Sequence, residues 1–146
     1  MLYRHRNMLF LLVILALAAA SLPACSGEKS SIYELAPISA LPPEVRQAPV
    51  SVQESYRFAI ANPDILEQIP CYCGCGAIGH QDNYMCYVAE ANSDGTITID
   101  NHALGCSLCV DITRDTMRLL DEGQSVPEIR EYIDNTYSKY GSSNMP

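Results

Sequence analysis

Three cysteines fall within five residues in Pro70-Cys71-Tyr72-Cys73-Gly74-Cys75-Gly76, and two more make the C-x-x-C pair Cys106 and Cys109. Cysteines two apart point to the same side of an extended chain. Gly74 and Gly76 also free the backbone to curl, so that the sulfurs converge. Neighbours within this run are poorly placed to pair with one another, because the single intervening residue strains disulfide geometry. The run therefore needs outside partners: a metal ion, or three distant cysteines.

The pair Cys106 and Cys109 opens a segment with helical spacing. A helix N-terminus stabilises thiolate, which favours both nucleophilic attack and metal binding at neutral pH. His80 follows Cys75 by five residues and His102 precedes Cys106 by four, so each cysteine cluster is flanked by an imidazole. Cys86 stands alone on an expected strand.

Three chemistries compete for these residues. Outside the cytoplasm, six cysteines read as a disulfide framework, with Cys71, Cys73 and Cys75 bridged to Cys86, Cys106 and Cys109. Alternatively Cys106 and Cys109 cycle between dithiol and disulfide. In the leading reading both clusters enclose a soft metal ion: Cys71, Cys73, Cys75, Cys106 and Cys109 are the first choice of ligands, and Cys86, His80 and His102 the second. The histidines favour metal, since disulfides do not need them. Thiolate-rich sites select copper(I), zinc or iron–sulfur clusters, and the spacing matches neither ferredoxin pattern. A closed set of four cysteines, or of three with one histidine, would mean structural zinc. A larger gathering of thiols in an exported protein favours copper(I).

The elements that must position these groups are short. Ser51-x-x-Glu54 has the form of a capping box, and Val52, Tyr56, Ala59 and Ile60 recur at helical spacing. Asn62-Pro63-Asp64 restarts a second helix that ends before Pro70. Residues 71–79 read as a loop. Tyr84 to Glu90 reads as a strand, Asn92-Ser93-Asp94-Gly95 as a turn and Thr96 to Ile99 as its partner strand. Ser107 to Glu122 is an amphipathic helix stopped by Gly123. A second helix is capped by Ser125 and Glu128 and has Ile129, Tyr132, Ile133, Thr136, Tyr137 and Tyr140 inward. The short connection makes the two an antiparallel helical hairpin. The expected fold is mainly α with a small β-hairpin: short N-terminal helices, a cysteine-rich loop, the hairpin and the C-terminal helical pair.

Residues 1–50 are of another character. Arg4 and Arg6 precede an apolar run from Phe10 to Ala20, shorter than a membrane-spanning helix, and small residues follow. Leu22-Pro23-Ala24-Cys25 resembles the bacterial lipobox, which implies acylation of Cys25 and a lipid tether on the outer side of a bacterial membrane. Residues 1–24 are then a leader and 25–50 a lipidated, proline-rich linker. The folded domain spans 51–141, and 142–146 is a disordered tail. The 17 acidic residues outnumber the 9 basic ones, for a net charge of −8. No basic patch exists to meet phosphates, so nucleic acid is not an expected partner. No phosphate-binding glycine loop and no serine beside a histidine is present, and the acids are scattered as solvated helix faces.

Asn62-Pro63-Asp64-Ile65-Leu66-Glu67-Gln68-Ile69, the hexad Pro70 to Cys75, Gly79-His80 and Asp100 to Ile112 together resemble the PCYCGC-motif lipoprotein family. The likeness covers about 90 residues. It implies an exported bacterial protein in which both cysteine clusters and both histidines belong to one site, and it supplies no reaction. A narrower likeness covers the C-terminal third: the C-x-x-C opening a helix, Glu122-Gly123-Gln124-Ser125, and Glu128-Ile129 to Tyr140-Gly141. It is similar to the membrane-anchored thiol reductases of cytochrome c maturation and implies thiol–disulfide chemistry at Cys106 and Cys109. Ser107-Leu108 departs from the usual interior of that pair, and four further cysteines lie upstream. The expected function is a tethered, extracytoplasmic binder of a soft ion, copper(I) or zinc, for delivery, storage or sensing, with a metalloprotein or redox protein as partner. The alternatives are a thiol–disulfide oxidoreductase and a disulfide-stapled interaction module.

Overall fold

The computed structural model describes residues 31–145, so the expected leader and its lipidated Cys25 lie outside the described residues. Six helices and one hairpin follow in the order α1 (Pro43–Arg46), α2 (Val50–Ala61), α3 (Pro63–Leu66), β1 (Val88–Ala91), β2 (Ile97–Ile99), α4 (His102–Gly105), α5 (Ser107–Asp121) and α6 (Val126–Tyr137). The fold is mainly α with a small antiparallel hairpin, as the periodicity indicates. Among the described residues no helix is long and apolar enough to cross a membrane.

The core lies where α2 and α6 pack on α5. Tyr56, Phe58, Ile112, Leu119, Ile129 and Ile133 are buried there. Tyr56 meets Tyr87 edge to face at 4.9 Å between ring centroids. Each of these rings removes a large apolar area from water, which drives the packing. Ser125 and Glu128 form the expected capping box at the start of α6, and Gly123 takes φ +84° at the stop of α5. Two of the tyrosines read as inward do not pack inward: Tyr132 and Tyr140 are exposed, while Ile129, Ile133 and Tyr137 carry the buried stripe. Arg118 covers the Tyr132 ring, which satisfies that face at the surface.

Four other boundaries are corrected. The packed chain begins well before Ser51, because Ala36, Leu41 and Val45 are buried. Arg57 binds Ala36 through Nε to the carbonyl at 2.6 Å, and Ala36 N–H returns a bond to the Arg57 carbonyl. The described part of the expected linker is therefore part of the domain. Ser51 is not a cap, since α2 starts at Val50 after Pro49. Tyr84–Cys86 is a 3-10 turn ahead of β1, so Cys86 is not on the strand. Residues 142–145 of the expected tail are anchored by Asn144, described below.

Candidate metal centre

The loop from Cys71 to Gly79 forms one wall. Gly74 at φ +86° and Gly79 at φ +97° bracket a 3-10 turn over Cys75–Ile78, in a conformation L side chains resist. The loop is tied from outside its own sequence. Cys71 N–H donates to Asn144 Oδ1 at 2.7 Å, and Asn144 N–H donates to the Cys71 carbonyl at 3.1 Å. Asn144 Nδ2 donates to Cys75 Sγ at 3.5 Å and to the Asp82 carbonyl at 3.1 Å. Gly141 passes so near Tyr72 that a Cβ there would stand 2.7 Å from the Tyr72 carbonyl oxygen. The Tyr72 hydroxyl donates to Asp134.

The facing wall is the start of α5. Cys106 occupies the residue before the helix and Cys109 its first turn. The Cys109 carbonyl accepts from Tyr87 Oη at 2.9 Å, and Thr113 Oγ1 lies 3.1 Å from it. Thr113 Oγ1 in turn donates to Asn83 Oδ1 at 2.6 Å. These bonds are buried and fix the backbone that aims Cys109. Asp100 links the two histidine segments: it accepts from the backbone N–H of His102 at 2.7 Å through Oδ1 and approaches the His80 ring Nε2 at 3.5 Å through Oδ2. The two imidazole rings meet edge to face at 5.2 Å. His80 Nδ1 is buried without a hydrogen-bond partner. A carboxylate on one ring nitrogen leaves the other free for a lone-pair role, the usual arrangement around metal-binding histidines.

The two walls meet. Cys71 and Cys109 sulfurs stand 3.5 Å apart, Cys73 and Cys109 3.6 Å, Cys71 and Cys73 3.4 Å. Cys86 lies 3.4 Å from Cys109 and 3.8 Å from Cys75, and His102 Nε2 is 3.4 Å from Cys73 Sγ. A disulfide would need about 2.05 Å. Sulfurs sharing one tetrahedral ion at about 2.3 Å stand about 3.8 Å apart. None of the six described cysteines is joined to another, and these sulfur separations are longer than a disulfide bond. Two groups of donors each lie within 4.8 Å of one another: Cys73, His102, Cys106 and Cys109, and separately Cys71, Cys75 and Cys86. Either group can hold a metal ion. The second is wholly buried, and in the first only Cys109 is.

Crowding divides the sulfurs electrically. Hydrogen bonds from Cys109, Cys75 and Cys86 hold the Cys71 thiol far below its ordinary range. The bond with Cys109 pushes Cys86 up, the bond with Cys71 pushes Cys109 and Cys75 up, and burial pushes Cys73 up. One thiolate thus makes its neighbours keep their protons. A cation entering the pocket replaces those protons.

Seven of the eight singled-out donors enter the two groups, and His80 alone stands beside them, against His102. Sequence reasoning ranked Cys86 second and missed Asn83, Asp100 and Asn144. Asp100 was within reach, adjoining the His102 segment. Asn144 carries no local signal, because its role exists only once the chain end folds back on the loop. A family model described as a protein of unknown function with PCYCGC motif matches residues 14–145. No significant match exists among curated proteins or among solved structures.

Proposed function

We propose, from the premise that the chain belongs to the PCYCGC-motif family of unknown function, that it binds a soft thiophilic ion and is tethered to the outer face of a bacterial membrane. The observation that carries this reading is the convergence of six free thiols and His102 from remote segments into one pocket. Copper(I) is the favoured ion. One zinc tetrahedron uses four donors, and this pocket gathers more thiols than that. Zinc is the second choice, since Cys73, Cys106, Cys109 and His102 match a closed three-cysteine, one-histidine set. The ion is cargo, for delivery, storage or sensing, and a metalloprotein is the partner that receives it.

The tether rests on the leader and Cys25. Substituting Cys25→Ser should move the protein from the membrane fraction to the soluble one; retention of the variant in membranes would refute lipid anchoring.

The oxidoreductase reading is favoured by one observation: Cys106, half-buried ahead of α5, is the more exposed member of a C-x-x-C. Against it, Cys109 faces three other sulfurs besides its pair partner. Native mass spectrometry with thiol alkylation, on the full chain purified from its own envelope, separates the readings. Bound copper with thiols protected from alkylation is the expected result. Six oxidised cysteines without metal would replace it with a disulfide-stapled module. Four stable disulfide-bonded cysteines beside an easily reduced Cys106–Cys109 pair would replace it with an oxidoreductase.

A further inference from the structure

We propose that the pocket takes two copper(I) ions of unequal accessibility, an outer one on Cys73, His102, Cys106 and Cys109 and an inner one on Cys71, Cys75 and Cys86. This rests on the metal-binding reading above and extends it to number and order. Each donor set closes within 4.8 Å on its own. Seven donors exceed what one soft ion coordinates, since even a closed zinc site uses four.

The inner set is three thiols without a nitrogen, which suits a three-coordinate univalent ion better than a tetrahedral divalent one. Asn144 Nδ2 donates to Cys75 at its edge, a favourable contact for a sulfur that carries negative charge. The sets differ sharply in access. Cys71 and Cys86 have no exposed surface and Cys75 is 2% exposed. Cys73, His102 and Cys106 are half-buried.

The sets also touch. Cys71 lies 3.4 Å from Cys73 and 3.5 Å from Cys109, and Cys86 lies 3.4 Å from Cys109. An ion held by the outer set can form a bond to Cys71 or Cys86 before it releases Cys73 or Cys106, so it moves inward without meeting water. Each copper–sulfur bond formed to a protonated cysteine releases one thiol proton, each sulfur given up takes one back, and copper stays univalent throughout, so no oxidant or reductant is required. The outer set is the port, and the inner set is the store.

Anaerobic titration of the reduced full chain in detergent with copper(I), read by native mass spectrometry, should give two ions per chain. Transfer to excess bathocuproine should then proceed in two phases of equal amplitude, with the slow phase at least tenfold slower. The double variant Cys106→Ser, His102→Ala should retain one ion, released in the slow phase. Cys75→Ala with Cys86→Ala should retain one ion, released fast. The outer variant changes half-buried positions, and far-UV circular dichroism verifies that both variants fold. A wild-type count of one overturns this inference and leaves the metal-binding reading standing. So does a single release phase, or loss of both ions from the outer variant. A count of zero for copper(I), and again for zinc titrated in its place, overturns both.

Discussion

Cys109 stands on a helix whose neighbouring residues Val110, Ile112 and Thr113 are buried, whereas Cys71, Cys73 and Cys75 stand on a loop with one 3-10 turn. Across 3.5 Å the sulfurs of the two walls are equivalent partners. Their supports are not. The helix wall is held by apolar packing shared with the whole domain. The loop wall is held by glycines in left-handed conformations and by polar bonds from Asn144, Asn83 and Tyr72. A pocket built this way has one wall that moves only when the protein unfolds and one that can give way locally.

The comparison breaks first on the helix side. Ile112→Ala should cost about 2–5 kcal/mol, the range for emptying a fully buried aliphatic site. Denaturant unfolding of the metal-free chain measures it, and the copper count of the folded variant should not change. A cost below about 1 kcal/mol would mean that packing does not hold this wall. Asn83 joins the walls: its N–H donates to the Ile69 carbonyl just before the loop, while its side chain accepts from Thr113 on α5. Asn83→Ala removes the buried bond from Thr113 and leaves a void where the amide was, for about 1–3 kcal/mol. Copper should also leave it faster, since both walls lose register. Unchanged release kinetics would separate the two walls.

On the loop side the expected effects are smaller and more local. Gly74→Ala should cost about 1–2 kcal/mol, because a Cβ there meets no neighbouring atom and the penalty is purely that of the positive φ. Gly74→Asn should recover part of it, as asparagine tolerates that region better. Equal losses for both variants would place the cost elsewhere. Asn144→Ala should cost about 1 kcal/mol in unfolding, with a larger relative effect on the release of the buried ion, because Asn144 bonds both Cys71 and Cys75. Release kinetics unaltered by this change would remove Asn144 from the site.

The same division explains what the sequence discloses. Helices α5 and α6 are legible in outline because their apolar spacing, their capping box and Gly123 are local signals that agree with tertiary packing. The β-hairpin is legible from Asn92 to Gly95 for the same reason. The hexad discloses that sulfurs must converge, since a Cys-x-Cys-x-Cys run cannot satisfy itself. It does not disclose which sulfurs meet. Cys86 sits in a stretch whose β-forming residues read as strand, yet Asn83 and Tyr84 turn the chain before Val88, and the turn brings Cys86 under Cys109. Residues 36–45 carry prolines that read as a spacer, and Ala36, Leu41 and Val45 are buried through long-range contacts such as the paired Ala36–Arg57 bonds, which no local pattern signals. Tyr132 lies at inward spacing but at the edge of α6, where Arg118 rather than the core meets its ring, and Tyr140 falls beyond the end of α6 and is exposed.

Tyr72 offers the smallest and cleanest test of the loop wall, because its hydroxyl reaches from the hexad to Asp134 on α6. Burial, and then the Asp134 carboxylate that accepts its proton, push Tyr72 up to about 12. The folded value lies above the ordinary one of about 10. The contribution of this bond to stability is therefore complete below pH 10 and is lost as pH rises toward 12. The loss should be about 1 kcal/mol or less, since Asp134 is partly solvated and its charge is screened. Alkaline pH acts on the whole chain, so the quantity to measure is the difference between wild type and Tyr72→Phe. The variant should be less stable at pH 8, and the gap should close by pH 12. A gap that stays constant across this range would show that the hydroxyl–carboxylate bond does not anchor the loop, and would leave Asn144 and Asn83 to hold it.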